Sequence, residues 1–226
     1  MIGLARSFGR YGYKRITGLL QMAGWNVNAK RVQRIWRREG LKVPARQPKR
    51  GRLWLSDGSC IRLRPEHRNH VWAYDFVAQK THDGRPLKLL CVVDEYTREC
   101  LAIVVARRIT SHEMLMTLAD LFLEHGIPEH IRSDNGHEFQ AKFHSHVEDQ
   151  GIRHVYIKPR SPNLNGKVER SHLTDKLEFH QLLAYTDDFD LAEKLAAWEE
   201  SYNVHRPHGG LGGLTPYEVL KEKMTS

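Results

Sequence analysis

Three acidic residues occupy positions where a folded sheet could bring their carboxylates together. Asp75 lies inside the apolar run 71–77, Asp134 follows a strand-like segment, and Glu169 falls in the first turn of a helix that begins near Gly166. Carboxylate oxygens are the usual ligands of hard divalent cations, and cleavage of a phosphodiester by two metals needs such ligands on rigid elements. The three acids therefore predict a two-metal phosphoryl-transfer site. Asp75 would bridge the ions, and Asp134 and Glu169 would each complete one site.

Each acid alone also has an ordinary explanation. An aspartate among apolar neighbours needs a partner, and at Asp75 that partner could be an arginine as well as a metal ion. Asp134 precedes Asn135-Gly136, and an aspartate is common in such a turn. Glu169 alone would be interpreted as a solvated glutamate on a helix. The chemical hypothesis depends on the three acids occurring together.

The elements that would position these acids alternate between strands and helices. A Thr110-x-x-Glu113 capping box opens the first helix after three strands. The apolar patterns predict strands at 70–78, 87–94, 100–106, 129–133 and 153–157, and helices from 110, over 138–150, over 166–182 and over about 187–202. Three strands followed by alternating helix and strand predict an α/β fold, a mixed five-stranded sheet flanked by helices.

The N-terminal segment predicts a small helical domain that binds DNA. One helix runs over 14–24, and Asn28 is a suitable N-cap for a second helix with Val32 and Trp36 on one face. Two short helices with a basic second helix are typical of a helix-turn-helix unit, although basic amphipathic helices also occur on ordinary surfaces. The predicted DNA contacts on the second helix are Lys30, Arg31, Arg34, Arg37 and Arg38.

Charge is distributed unevenly along the 226 residues. The net charge is +8, but residues 1–70 hold 17 Lys and Arg against three Asp and Glu, while the remainder is mildly acidic. This asymmetry indicates a nucleic-acid-binding front end attached to a separate domain, or alternatively a disordered solubilising tail. The predicted domains are a helix-turn-helix domain at 1–43, a basic linker at 44–69, a catalytic core at 70–182, and a C-terminal helix and tail at 183–226.

Membrane and disulfide classes are disfavoured by the sequence. No apolar run reaches transmembrane length, and no secretory signal opens the chain. The three cysteines have no zinc-type spacing, and Cys91 and Cys100 fall in strand-like runs, where buried free thiols are expected. These features favour a reducing, cytoplasmic location.

Around the three acids, and near both ends of the chain, the sequence resembles a known family. The motifs are Tyr11–Ile16, Lys30–Leu41, Val71–Phe76, Val92–Arg98, Ser133–Phe139, Ser161–Arg170, Tyr202–His208 and Leu211–Pro216. Together they resemble the DDE transposases of insertion sequences, whose second reading frame encodes a catalytic core of the retroviral integrase type.

The resemblance implies a ribonuclease-H-like fold and a polynucleotidyl transferase that cuts DNA strands and joins them to new sites. It implies that Asp75, Asp134 and Glu169 are catalytic residues that bind two Mg²⁺ or Mn²⁺ ions. It adds DNA contacts near the cut end, at Asn165, Lys167, Arg170 and Lys176. The implied partners are the element ends, target DNA, further copies of the chain and a protein from the upstream reading frame, in a bacterial cytoplasm and on the nucleoid when DNA is bound.

Two alternative functions stay open at this point. A catalytically silent, truncated relative could occupy element ends and regulate transposition, and a hydrolytic nuclease could share the fold. Among the neighbouring residues, Asp94 is expected to fix the turn after the second strand and Glu138 to cap a helix. Of the histidines, only His172, three residues after Glu169, is a candidate for a role at the site.

Overall fold

The computed structural model describes residues 1–43, 63–133, 145, 147–156, 166–180 and 183–224. Asp134, Glu138, Asn165, Cys60, much of the linker and most of the helix expected over 138–150 lie outside these residues. The helices are α1 (Ile2–Ser7), α2 (Tyr13–Met22), α3 (Ala29–Arg38), α4 (Ser111–His125), α5 (Gly166–Asp175), α6 (Asp188–Glu200) and α7 (Pro216–Met224). The strands are β1 (Val71–Lys80), β2 (Pro86–Asp94), β3 (Cys100–Ala106), β4 (His130–Ser133) and β5 (Arg153–Tyr156).

The chain forms two compact units. One contains residues 1–62 and 205–226, and the other contains residues 63–204. The domain boundaries expected at residues 43, 69 and 182 stay predictions.

The larger unit is built on one five-stranded sheet in the order β3-β2-β1-β4-β5. The pairs β1–β2 and β2–β3 are antiparallel, while β1–β4 and β4–β5 are parallel. The mixed five-stranded sheet predicted from the sequence is therefore confirmed. Strand β1 is central: β4 pairs with its first residues, 71–73, and β2 pairs with it over 72–80.

Helices cover the two faces of this sheet. On one face, Trp72 and Tyr74 pack in a cluster with Met114 and Leu118 of α4. On the other face, Leu89 and neighbouring residues of β2 pack against a cluster that includes Leu191 and Leu195 of α6 and Phe179. The period of two residues along a strand separates these faces, so that Ala73, Asp75 and Val77 share the second one.

The helix ends follow local chemistry. The Thr110 hydroxyl accepts from the Glu113 backbone N–H, and the Glu113 carboxylate accepts from the Thr110 N–H, which confirms the capping box. Gly126, with a φ of 89°, ends α4 in a backbone conformation that favours glycine. The helix expected over 166–182 is instead α5 followed by a π-helical turn, Lys176–His180. A second π-helical turn, Ser201–His205, follows α6.

The smaller unit contains the two helices of the expected helix-turn-helix. The Asn28 side chain accepts from the Arg31 backbone N–H at 2.8 Å and so caps α3 as predicted. Ile16, Val32 and Trp36 form the core together with Ala5 and Tyr11. Helix α1, which supplies Ala5, was not predicted because six residues are too few to show a helical period. Among the described residues, no helix is long and apolar enough to span a membrane.

Candidate active site

Asp75 lies in the middle of β1, opposite Cys91 of β2. Its Oδ1 accepts a hydrogen bond from the Phe76 backbone N–H at 2.8 Å, and its side chain is 24% exposed. Cys91 and Cys100 are buried free thiols, as expected. Burial, aided by the carboxylates of Asp175 and Asp75, raises the pKa of the Cys91 thiol. The Asp75 carboxylate thus borders a dry sheet face while one part of it reaches solvent.

Helix α5, which carries Glu169, packs against this strand. Val168 is fully buried and packs on Ala73 of β1 and Val93 of β2. Glu169, the next residue, is exposed. One turn further on, His172 Nδ1 lies 3.7 Å from Asp75 Oδ2. Residues three apart are neighbours on a helix surface, and so Glu169 lies next to His172 on α5.

His172 contacts Asp75 as a neutral ring. Burial, with a smaller effect of His180, lowers the pKa of His172 to about 4. At neutral pH the 3.7 Å approach is therefore a contact between a carboxylate and an uncharged imidazole, and it is too long for a hydrogen bond. Nε2 of the same ring is buried without a hydrogen-bond partner. The sequence singled out this histidine, and the structure places it beside the first acid.

The second acid, Asp134, lies outside the described residues, but the strand before it is described. Strand β4 ends at Ser133, directly before Asp134, as the sequence predicted. It pairs in parallel with β1, with Arg132 opposite Ala73.

Asp94 has the turn-fixing role that the sequence predicted. Its side chain is fully buried, and its Oδ1 accepts from the Tyr96 N–H, the Thr97 N–H and the Thr97 hydroxyl. Its Oδ2 accepts from the Asn69 N–H at 2.8 Å. This carboxylate closes the turn after β2 and ties it to the start of β1.

Sequence reasoning missed a buried ionic cluster next to Asp94. The Glu95 carboxylate, 1% exposed, pairs with Arg132, which is 2% exposed. Lys167 Nζ donates to the backbone oxygen of Glu95 and lies 3.6 Å from Glu95 Oε2. The available signal was Arg132 itself, because an arginine inside a short apolar strand needs a counter-charge. We call Glu95, Arg132 and Lys167 the Glu95 cluster.

The other residues predicted near the cut DNA have different surroundings. Arg170 and Lys176 are exposed on α5 and on the π-helical turn after it. Lys167 is only 17% exposed and belongs to the Glu95 cluster. Asn165 lies outside the described residues. The structure thus presents Arg170 and Lys176 to solvent and engages Lys167 with Glu95.

A cleft of about 370 Å³ lies between the sheet, with Val77 of β1 and Cys91 of β2 in its lining, and the helical segment that includes α5. Its lining includes His172, Asp175, Lys176 and His180 on the helical side. Burial lowers the pKa of His180 to about 4. The cleft thus combines an apolar sheet floor with a helical wall that carries polar side chains.

A separate group of possible metal ligands lies at the starts of β1 and β4. Among the described residues, His70, Glu129 and His130 place ligand atoms within 4.8 Å of one another. In this group, His70 Nδ1 already accepts a hydrogen bond from the Glu66 backbone N–H at 3.0 Å. This group is not the predicted acid site, which lies further along β1 at Asp75.

In the smaller unit, the basic face of α3 is open to solvent. Val32 and Trp36 are buried in the core, whereas the five predicted DNA-contact residues are all exposed: Lys30, Arg31, Arg34, Arg37 and Arg38. Arg38 pairs with Glu39 at 3.0 Å. The helix therefore presents several cations on the side away from its packing face.

Family profiles match most of the chain. Residues 65–162 and 150–216 match two family profiles, each described as an integrase core domain, and residues 4–49 match an HTH-like domain. An uncharacterized 31.7 kDa protein of insertion element IS407 from Burkholderia multivorans is 30% identical, over 100% of this chain and 81% of that protein. The chain belongs to the insertion-sequence transposases with an integrase-type core.

Further relatives agree with this assignment. An uncharacterized 39.2 kDa protein of insertion element IS476 from Xanthomonas euvesicatoria is 29% identical, over 100% of this chain and 64% of that protein. Transposase InsD of insertion element IS2 from Escherichia coli is 25% identical, over 94% of this chain and 74% of that protein. None of these relatives favours the alternative of a truncated regulatory protein.

Solved integrase structures share the fold. The catalytic core of HTLV-2 integrase, determined in complex with magnesium, aligns with a TM-score of 0.55 at 21% identity, over 67% of this chain and 95% of that one. An integrase chain in the intasome of simian T-cell lymphotropic virus aligns with a TM-score of 0.60 at 21% identity, over 96% of this chain and 73% of that one. The transposase therefore has the ribonuclease-H-like fold that its sequence predicted, preceded by an HTH-like domain.

Proposed function

We propose that this transposase cuts and joins DNA with Asp75, Asp134 and Glu169 as the ligands of two divalent cations, Mg²⁺ or Mn²⁺. The observation that carries the proposal is the approach of α5 to β1 at Asp75, where Val168 seats the helix and His172 contacts the carboxylate. Arg132 of β4 is paired with Ala73 of β1. Asp134 is two residues after Arg132, and Asp75 is two residues after Ala73. This equal spacing supports a common site for both acids.

The residues fit hard cations by their chemistry. All three proposed ligands are carboxylates, and the described part of the site offers Asp75 partly exposed and Glu169 exposed. Cations bound there would supply charge stabilisation for the attacking and leaving oxygens of an in-line displacement. The protein's own contribution is position: a central strand holds Asp75, and a helix anchored by a buried valine holds Glu169.

The reaction has two steps of the same kind. First, a water oxygen attacks the phosphorus at the element end, the bond to the 3′ oxygen breaks, and a 3′-OH and a 5′-phosphate result. Then that 3′-OH attacks a target phosphodiester, and the target's own 3′ oxygen leaves. Neither step needs a covalent bond between protein and DNA, because positioning and electrostatic stabilisation suffice.

Its partners in this reaction are DNA and other copies of the chain. The exposed cations of α3 would hold the element ends, and Asn165, Arg170 and Lys176, with Lys167, would lie near the cut strand. We propose assembly as a homo-oligomer on DNA, together with the upstream-frame protein of the same element. The bacterial cytoplasm and its nucleoid are the location that this function requires.

Cleavage and strand transfer on labelled DNA carrying the element ends test the proposal. Asp75→Asn, Asp134→Asn and Glu169→Gln should each lose more than about 100-fold in activity, beyond the 10–100-fold loss typical of residues that support metal ligands. Asp120→Asn, which changes an exposed aspartate of α4, is the matched control and should retain activity. DNA binding without cleavage by the wild type, even with the upstream-frame protein added, would instead indicate the silent relative.

A further inference from the structure

The Glu95 cluster connects the chain segments that carry all three proposed ligands. Arg132 is two residues before Asp134, and Lys167 is two residues before Glu169. The Glu95 backbone N–H donates to the Val71 oxygen at 3.0 Å, at the start of the strand that carries Asp75. Through its carboxylate and its backbone, the buried residue Glu95 thus joins the end of β4, the start of α5 and the start of β1.

We propose that Glu95 and Lys167 are positioning residues that set the spacing of the metal ligands, and that Lys167 acts through Glu95 rather than through DNA. This inference rests on the proposed function of the acids. Residues that contact metal ligands without binding the metal themselves fix the orientation of those ligands and change their affinity for the metal. The Glu95 cluster has this place in the chain without contributing a proposed ligand.

The contacts of the cluster support positioning over DNA contact. The Lys167 side chain is 17% exposed, and its ammonium donates to the Glu95 backbone oxygen and pairs with the Glu95 carboxylate. Arg132 pairs with Glu95 through Nη1 and donates from Nη2 to the Leu63 oxygen at 2.8 Å. A hydrogen bond to the backbone oxygen and an ion pair with the carboxylate of one residue define a direction as well as a distance. The planar guanidinium of Arg132 holds its two partners with little freedom.

A lysine-to-methionine change separates positioning from simple electrostatics. Lys167→Met keeps the length of the side chain but removes a positive charge close to the proposed cation site. Electrostatics alone would then make Mn²⁺ bind more tightly, because a repulsive charge is gone. Loss of positioning would make Mn²⁺ bind more weakly. The two explanations therefore predict shifts of opposite sign.

Lys194→Met is a matched control. Lys194 Nζ also donates to a backbone oxygen, that of Ala184 at 2.9 Å, and pairs with a carboxylate, that of Asp190 at 2.7 Å. It lies on α6, away from the Glu95 cluster. The same chemical change in the same kind of contact thus tests whether the position matters.

The experiment titrates Mn²⁺ into the full chain without DNA, with free Mn²⁺ followed by electron paramagnetic resonance. The Mn²⁺ concentration that gives half-maximal cleavage of element-end DNA provides a second reading. Lys167→Met should weaken Mn²⁺ binding by about 10-fold or more, and Lys194→Met should leave it unchanged. Glu95→Gln should weaken it in the same direction. If that variant fails to fold because Arg132 loses its counter-charge, Lys167→Met alone decides.

The outcomes distinguish this inference from the proposed function. Mn²⁺ binding that depends on Asp75 but is unchanged or tighter in Lys167→Met would overturn the inference and leave the proposed function intact. A Lys167→Met variant with weaker DNA binding and normal Mn²⁺ affinity would also overturn it, in favour of a DNA contact. Wild-type protein that neither binds Mn²⁺ nor cleaves DNA would overturn both.

Discussion

At the scale of single residues, the role of each aspartate depends on the hydrogen-bond partners and the solvent exposure of its carboxylate. Asp94 accepts from four donors and is fully buried, whereas Asp75 accepts from the Phe76 backbone N–H, lies beside a neutral histidine and has a side chain that is 24% exposed. A carboxylate saturated by hydrogen bonds has few lone pairs left for a metal ion. These surroundings explain why two aspartates in adjacent strands should have different functions.

We predict that Asp94→Ala destabilises the fold by about 3 kcal/mol or more, because three backbone N–H groups and a hydroxyl lose their acceptor. Urea unfolding measures the effect. Asp120→Ala, at an exposed site on α4, should change stability by about 0.5 kcal/mol at most. Normal stability with lost Mn²⁺ affinity in Asp94→Ala would show instead that Asp94 is a ligand.

His180 makes the fold sensitive to acid. Its pKa is about 4 in the folded chain and 6.5 in a free histidine, so that between these values the unfolded state binds more protons. Stability from the neutral ring is fully present above pH 6.5 and is lost as pH falls to 4.

The free energy of unfolding of the wild type should fall between pH 7 and pH 4, and we predict that His180→Gln makes this fall smaller by about 2–3 kcal/mol. This figure includes a reduction because the His180 ring is partly exposed to solvent. Urea unfolding across this pH range measures it. The buried His172 keeps part of the acid sensitivity in the variant. An identical pH dependence in the wild type and His180→Gln would contradict the burial of a neutral ring.

At the scale of helices and strands, short-range sequence patterns predicted most helices and strands. The features that the sequence did not predict depend on contacts between residues far apart in the chain. Asn28 and Thr110 cap helices through bonds within four residues, and the sequence displays such bonds directly. The π-helical turn at Lys176–His180 and the Glu95 cluster depend on packing between segments far apart in the chain. For the site, motifs predicted Asp75 and Glu169, and the spacing from Glu169 singled out His172, but the sequence gave Lys167 no partner.

Helix α3 yields a prediction about DNA binding. Arg34→Ala should weaken binding to element-end DNA by about 10-fold, the size expected for one base or phosphate contact. Its stability should be unchanged, because Arg34 is exposed. Fluorescence anisotropy measures the affinity, with Arg6→Ala, an exposed arginine of α1, as the control. Equal DNA affinities of the wild type and Arg34→Ala would show that Arg34 of α3 does not contact the DNA.

At the scale of the whole molecule, the charge distribution is consistent with DNA binding in the N-terminal part of the chain and metal-dependent chemistry in the rest. The first seventy residues carry most of the excess positive charge, and they include the HTH-like domain, whereas the proposed acid site lies in the remaining, mildly acidic part. Positive charge favours DNA by releasing counterions from its phosphates, while clustered carboxylates repel DNA unless cations are bound. Productive contact between the core and a phosphodiester should therefore require divalent cations.

The most direct test of this account is strand transfer by Asp75→Cys, in parallel in Mg²⁺ and in Mn²⁺ under reducing conditions. A thiolate is a poor ligand for Mg²⁺ and a better one for Mn²⁺, which accepts softer donors. If Asp75 binds the ion directly, the variant should be inactive in Mg²⁺ and recover measurable activity in Mn²⁺, relative to the wild type in each metal. Activity equal to that of the wild type in Mg²⁺ would contradict the claim that the Asp75 carboxylate is a metal ligand.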